Sequence, residues 1–200
     1  MAIKNIIFDF GGVLIDWNPV YLYEKVFDTK EDMDFFLNNI CTSDWNVNQD
    51  AGYPLKKATK ELQEKHPDYS DKIGMFYGRW TEMLGGTIDE NVQVLKKLKP
   101  SFPIFGLTNW SAETIPFAIE RYDFFKLLDG MVVSGKEKII KPDRRLYQIL
   151  IDKYQLNPEE SLFIDDNIHN IKTADDMGFV TIHLTPETNL EETVVSMGLL

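Results

Sequence analysis

Hydrophobic positions fall into two patterns along this chain, and the change between them divides it. The first pattern is a compact run: Ile6-Ile7-Phe8 leads straight into Asp9-Phe10-Gly11-Gly12-Val13-Leu14. Three consecutive large apolar residues leave no side of the backbone for water, so they read as a strand buried on both faces. Asp9 stands where that strand ends. The two glycines allow a tight bend and a close approach of backbone to ligand, since neither carries a Cβ. Ile15-Asp16-Trp17-Asn18-Pro19 has turn chemistry leading into a helix.

From Val20 to about Gly85 the spacing becomes helical. Leu22 and Val26, Phe36 and Ile40, Leu55 and Leu62, and Ile73, Phe76 and Trp80 mark about four helices, with no convincing strand among them. The polar run Asp44–Asp50, closed by Gly52, reads as a loop between two of these helices. Its amides and carboxylates suit sugar hydroxyls with Trp45 as a stacking face, or equally an ordinary solvated turn. Beyond Gly85-Gly86 the first pattern returns in alternation. Helices over 91–98, 113–122, 144–154 and 168–177 alternate with strands over 104–107, 131–134, 161–164 and 180–184, and 190–200 offers one more short helix. Such alternation specifies a parallel sheet covered on both faces. The chain is thus expected to be α/β: a three-layer, doubly wound, Rossmann-like core of residues 1–17 and 86–200, split by an α-helical insertion over 18–85.

Composition narrows the chemistry. The 200 residues suffice for one well-buried domain with a modest insertion. A net charge of −11 argues against a nucleic-acid partner, because phosphate backbones call for a basic face. Handling an anionic phosphate with so acidic a chain requires local positive charge, from a metal or a placed lysine. Cys41 is the sole cysteine, which suits a reducing cytosol and excludes an internal disulfide. No window approaches the roughly 20 apolar residues of a membrane span, and the start of the chain lacks a signal-peptide pattern. The expectation is a cytoplasmic protein, monomer or homodimer. His66, His169 and His183 show no metal-ligand spacing.

In an open parallel sheet, ligands bind beyond the carboxyl ends of the strands. Asp9 ends the first strand, Thr108-Asn109 the second, Ser134-Gly135 and then Lys141-Pro142 follow the third, and Asp165-Asp166 end the fourth. Each has an ordinary reading alone. Asp9 can close a strand, Thr108-Asn109 can cap a helix, and Lys141 can be a surface lysine before a helix-starting proline. Two adjacent acids after an apolar strand are harder to dismiss, because they repel unless a cation or donors offset them. On one rim the set matches phosphoryl transfer: an attacking oxygen, Mg²⁺ held by carboxylates, and a lysine with neutral donors on the equatorial oxygens.

The segments "IIFDFGGVL", "FGLTNWS", "SGKEKIIKPDRRLYQIL" and "SLFIDDNIHNIKTADDMGF" resemble the haloacid dehalogenase superfamily, in the branch with a helical cap after the first strand, and its sugar-phosphate phosphatases. The resemblance spans Ile6 to Phe179, with the cap matching in position and helical character only. It implies Asp9 as the nucleophile that becomes phosphorylated, Thr108 and Asn109 as donors to the phosphoryl group, and Lys141 as the cation joining nucleophile and phosphate. It further implies Mg²⁺ held by Asp9, the Gly11 carbonyl and Asp166, with Asp165 in support. Asn170 stands where many relatives have a second acid. The substrate would be a small phosphate ester.

One position departs from that pattern. Phosphatases of the superfamily usually have an Asp two residues after the nucleophile, acting as general acid and then general base, and here that residue is Gly11. The metal contact survives through the carbonyl, but the proton shuttle does not. General acid–base help is typically worth 10²–10⁴-fold, so about 3–5 kcal/mol of barrier is unassigned. Three readings stand open. The first is a phosphatase restricted to leaving groups that need little protonation, such as anomeric sugar, aryl or acyl phosphates. The second is a 2-haloacid dehalogenase, which calls for an early-cap arginine, although none precedes Arg79. The third is a phospholigand-binding protein without catalysis. Asp16 is a candidate substitute for the missing acid, or a plain helix cap.

Overall fold

The strand that opens the chain lies in the middle of the sheet. The computed structural model describes residues 2–200. It runs from β1 (Asn5–Phe8) and β2 (Ile15–Trp17) into five helices: α1 (Val20–Tyr23), α2 (Lys30–Asn39), α3 (Ser43–Asp50), α4 (Leu55–Lys65) and α5 (Ser70–Gly78). It continues through β3 (Leu84–Thr87), α6 (Asp89–Leu98), β4 (Ile104–Thr108), α7 (Ile115–Arg121), β5 (Gly130–Val133) and α8 (Ser134–Glu137). The last part comprises α9 (Arg144–Tyr154), β6 (Ser161–Asp165), α10 (Ile168–Asp176), β7 (Val180–His183) and α11 (Leu190–Ser196).

Five strands form one parallel sheet in the order β5-β4-β1-β6-β7. Alternation along β1 sends Ile6 and Phe8 to one face and Ile7 to the other. Ile6 and Phe8 join a cluster with Ile104, Leu162 and Ile164 of neighbouring strands and Leu95, Ala118 and Val194 of α6, α7 and α11. Ile7 joins Leu107 and Phe163 with Leu146 and Leu150 of α9 and Ala174 of α10. The sheet therefore has helices on both faces, a three-layer Rossmann-like α/β arrangement. Ile6, Ile7 and Phe8 are wholly buried, and each such side chain contributes about 1.5–3 kcal/mol. The strand that delivers Asp9 is held from both sides. No helix among the described residues is long and apolar enough to cross a membrane.

Two segments differ from the local reading. Ile15–Trp17, expected as a turn, is a strand paired antiparallel with β3. The turn chemistry is confined to Asn18-Pro19, where the Val20 amide donates to Asn18 Oδ1 at 2.9 Å. Ile15 is fully buried, so β2 gains from tertiary packing what its sequence alone does not signal. The polar run 44–50, expected as a loop, is helix α3. Thr42 caps it by accepting from the Trp45 amide at 3.1 Å. Asn and Asp are weak helix formers because their side chains compete for the backbone. Burial of Gln49 and packing of Trp45 on Phe76 and Tyr77 of α5 outweigh that tendency. The helices between β2 and β3 number five rather than about four.

Candidate active site

The parallel register brings the strand ends to one rim. The Asp9 amide donates to Ile164 O at 2.9 Å, which continues the β1–β6 ladder and sets Asp9 beside Asp165. Thr108 ends β4 on the other side of β1. Lys141 comes to the same place from the loop before α9.

Lys141 is the hub. Its Nζ lies 2.9 Å from Asp9 Oδ2 and 2.6 Å from Asp165 Oδ2, and donates to Leu107 O at 2.9 Å. Burial alone would lower the ammonium; Asp9 and Asp165 outweigh it and hold Lys141 above its ordinary value. Burial pushes Asp9 above the usual carboxylate range, Lys141 pulls it back, and Asp165 and Asp166 push it up again. Asn109 holds Lys141 in place: its Oδ1 accepts from the Lys141 amide at 2.7 Å and its Nδ2 donates to the Lys141 carbonyl at 3.0 Å. The Asn109 side chain is thereby committed to the lysine loop, which leaves its backbone for any ligand.

The two acids after β6 divide the work. Asp165 is fully buried and accepts from Lys141, from the Asn167 amide at 2.8 Å, and from Asn170 Nδ2 at 3.0 and 3.1 Å. Asn170 therefore anchors Asp165. Asp166 points instead toward the bend after β1. Gly12 has φ +73°, and a Cβ there would meet Asp166 Oδ2 at 2.2 Å. Only glycine fits both the left-handed backbone and the neighbouring carboxylate. Oxygens of Asp9, Asp165 and Asp166 lie within 4.8 Å of one another. Three acidic side chains face the single Lys141 ammonium, and oxygen donors of this kind fit a hard divalent cation.

A cavity of about 310 Å³ adjoins this rim, lined by Gly11, Gly12, Asn109 and Asp166 from the strand ends and by Asn46, Asp50, Tyr77 and Trp80 from the inserted segment. Trp17, Trp110, Ser111 and Thr114 complete its wall. Three buried polar side-chain atoms lack a hydrogen-bond partner among the described residues, and two of them, Thr108 Oγ1 and Trp17 Nε1, belong to this region. An unsatisfied buried donor costs about 1–3 kcal/mol, so a ligand oxygen would satisfy what the protein leaves open.

Tyr77, Trp17, Trp80 and Trp110 were not legible as site residues, since helical spacing marks Tyr77 and Trp80 only as core. Asn46 and Asp50 belong to the polar run whose amides and carboxylates were expected to suit a ligand, and they line the cavity from a helix and not from a loop. Trp45 packs against Phe76 and Tyr77, with centroids 5.2 and 5.4 Å away, rather than lining the cavity. Asp16, considered as a substitute acid, accepts from Tyr21 Oη at 2.6 Å at the β2–β3 ribbon and does not line the cavity. The Cys41 thiol is buried.

Comparison with known proteins places this geometry. A model of the haloacid dehalogenase-like hydrolases matches residues 6–184. A sesquiterpene phosphatase of Aspergillus oryzae is 25% identical over 91% of this chain and 90% of its own length. A D-ribitol-5-phosphate phosphatase of Bacteroides thetaiotaomicron is 21% identical, with 90% of each chain aligned. A crystal structure of a HAD family enzyme from the same bacterium, in magnesium complex, matches with a TM-score of 0.78 over 97% of this chain and 99% of that one, at 20% identity. That likeness speaks to the fold.

Proposed function

We propose, since the chain belongs to the haloacid dehalogenase-like hydrolases, that it is a Mg²⁺-dependent phosphatase acting on a small phosphorylated metabolite through an aspartyl-phosphate on Asp9. The observation that carries this reading is the buried Asp9–Lys141–Asp165 cluster beside an unengaged Asp166 and an unpartnered Thr108 hydroxyl. Asp9, the Gly11 carbonyl and Asp166 would hold the cation, which supplies charge neutralisation for an incoming dianion. Asp9 attacks phosphorus in line with the leaving oxygen. Lys141 keeps nucleophile and phosphoryl oxygens together, and Thr108 Oγ1 with the Asn109 backbone amide donates to the equatorial oxygens, where charge develops. Asp165 and the Asn109 side chain hold Lys141 at its station.

Residues 18–85 act as the cap that excludes water and selects the leaving group, over a core formed by 1–17 and 86–200. Trp17, Trp80, Trp110 and Tyr77 offer flat apolar faces with polar groups between them. That wall suits a ring with an apolar face, such as a sugar 1-phosphate or an aryl phosphate. The phosphatases among the relatives support an ester substrate. Halide displacement lacks its cation: Arg79, the first arginine of the chain, is engaged by Glu82 at 2.7 Å. The protein acts in the cytoplasm on a free metabolite, without nucleic acid or membrane.

A panel of sugar 1-phosphates, aryl phosphates and alkyl phosphates, assayed with Mg²⁺ and with EDTA, tests the reading. Mg²⁺-dependent phosphate release is expected, with a loss of at least about 10³-fold in Asp9→Asn. Metal-independent halide release from 2-haloacids, or tight ester binding without turnover, would overturn it.

A further inference from the structure

We propose that Asp50, at the end of helix α3, is the general acid and base that the glycine at position 11 cannot be, delivered to the leaving oxygen by the inserted helices. This assignment rests on the phosphatase reading and deepens it.

Three observations place Asp50 there. It lines the same cavity as Gly11, Gly12 and Asp166, but it is contributed by α3 of the inserted helices and not by the strand ends that deliver Asp9. Its carboxylate is oriented by a short relay: Tyr77 Oη donates to Asn46 Oδ1 at 2.8 Å, and Asn46 Nδ2 donates to Asp50 Oδ2 at 3.1 Å. All three side chains line the cavity. The end of α3 is also pinned to the core. Ser134 Oγ donates to the Asp50 carbonyl at 2.6 Å and accepts from the Trp110 amide at 2.8 Å. Just beyond, Gly52 (φ +88°) passes so close to α8 that a Cβ would lie 2.9 Å from the Gly135 carbonyl. Asp50 is thus contributed by the inserted helices yet held in a fixed place at the cavity, as a proton donor must be.

Its surroundings suit a group that changes protonation near neutrality. Burial pushes Asp50 up to about 7, the Ser111 backbone amide pulls it down, and the charge of Asp9 pushes it up. Tyr77 on α5 and Asp166 after β6 face the same space. Glu113 is engaged by the Leu55 amide at 2.9 Å, and Lys138 lies along Gly52.

The two steps balance. In the first, an Asp9 oxygen forms a bond to phosphorus, the bond from phosphorus to the leaving oxygen breaks, and that oxygen takes the proton of the Asp50 carboxylic acid. In the second, the Asp50 carboxylate takes a proton from water as the water oxygen bonds to phosphorus. The bond from phosphorus to Asp9 breaks, releasing inorganic phosphate and restoring both groups.

The test pairs two esters of similar ring size, 4-nitrophenyl phosphate and benzyl phosphate, whose leaving oxygens differ in their need for a proton. In Asp50→Asn, steady-state benzyl phosphate turnover should fall about 10²–10⁴-fold. With 4-nitrophenyl phosphate the variant should instead give a rapid burst of one nitrophenolate per enzyme, followed by slow turnover as the phosphoenzyme waits for a base. The alkaline limb of the kcat/KM profile for benzyl phosphate should disappear. A Cβ at Gly11 meets nothing within 4 Å, so Gly11→Asp in the Asp50→Asn background should restore benzyl phosphate turnover at least about tenfold. An active wild type whose Asp50→Asn variant loses both esters equally without a burst, or changes only KM, overturns the assignment alone. A folded wild type inert toward every phosphate ester overturns the phosphatase reading and this assignment with it.

Discussion

At the scale of single residues, the site is a set of buried polar groups whose stability and function pull in opposite directions. Thr108 is 1% exposed and its hydroxyl has no partner among the described residues. Thr108→Val keeps the shape and removes that donor, so thermal unfolding should show unchanged or improved stability, by up to about 1–3 kcal/mol. Phosphate release should drop by about 10–100-fold in kcat/KM. A variant that loses stability instead would mean the hydroxyl is satisfied inside the protein. Asp50 gives a second divergence, read against pH. Its folded-state value is raised to about 7 from 3.8, so the native state keeps a proton that the unfolded chain has released. The resulting penalty is absent below pH 3.8, grows as pH rises, and is complete above about 7. Asp50→Asn should therefore gain stability relative to wild type as pH rises from 5 to 8, by on the order of 2 kcal/mol, because the buried wild-type carboxyl must ionise over that range. Denaturant titrations at the two pH values measure it.

At the scale of elements, the β2–β3 ribbon and helix α3 decide how the inserted helices meet the core. The ribbon brings the chain out and back at neighbouring points, pairing Ile15 with Thr87 and Trp17 with Leu84. Asp16 belongs to this ribbon through Tyr21. Asp16→Asn retains an acceptor for that hydroxyl, so kcat should change by less than about threefold and stability by under about 1 kcal/mol. A larger loss of kcat in a phosphate-release assay would return Asp16 to the chemistry. Helix α3 is the more instructive element. Its composition argues for a loop, since six of its eight residues are Ser, Asp, Asn or Gln. Only Trp45 and Gln49 turned inward, with Thr42 as cap, reveal why the run is helical.

At the scale of the molecule, the acidic chain concentrates negative charge where its ligand would bind. A divalent cation at Asp9 and Asp166 should stabilise the whole fold by mass action, about 2.7 kcal/mol at a hundredfold excess over Kd. For a domain of this size that is a rise in Tm of about 5–10 °C. Differential scanning fluorimetry with Mg²⁺ and with EDTA should show the rise, and Asp166→Asn should abolish it. The residue order alone determined the alternation of strands and helices, the parallel sheet, and the arrival of Asp9, Thr108 and Asp165-Asp166 at one rim. Each of those acids and hydroxyls ends or closely follows an apolar run, and a parallel register sends every such end the same way. Tertiary structure alone decided how those residues divide their roles: Asn109 clasping Lys141, Asn170 anchoring Asp165, Gly12 making room for Asp166, and α3 bringing Asp50 to the cavity. Those outcomes depend on pairings between side chains tens of residues apart, and periodicity reports only which face a residue occupies, not which partner waits on the other side.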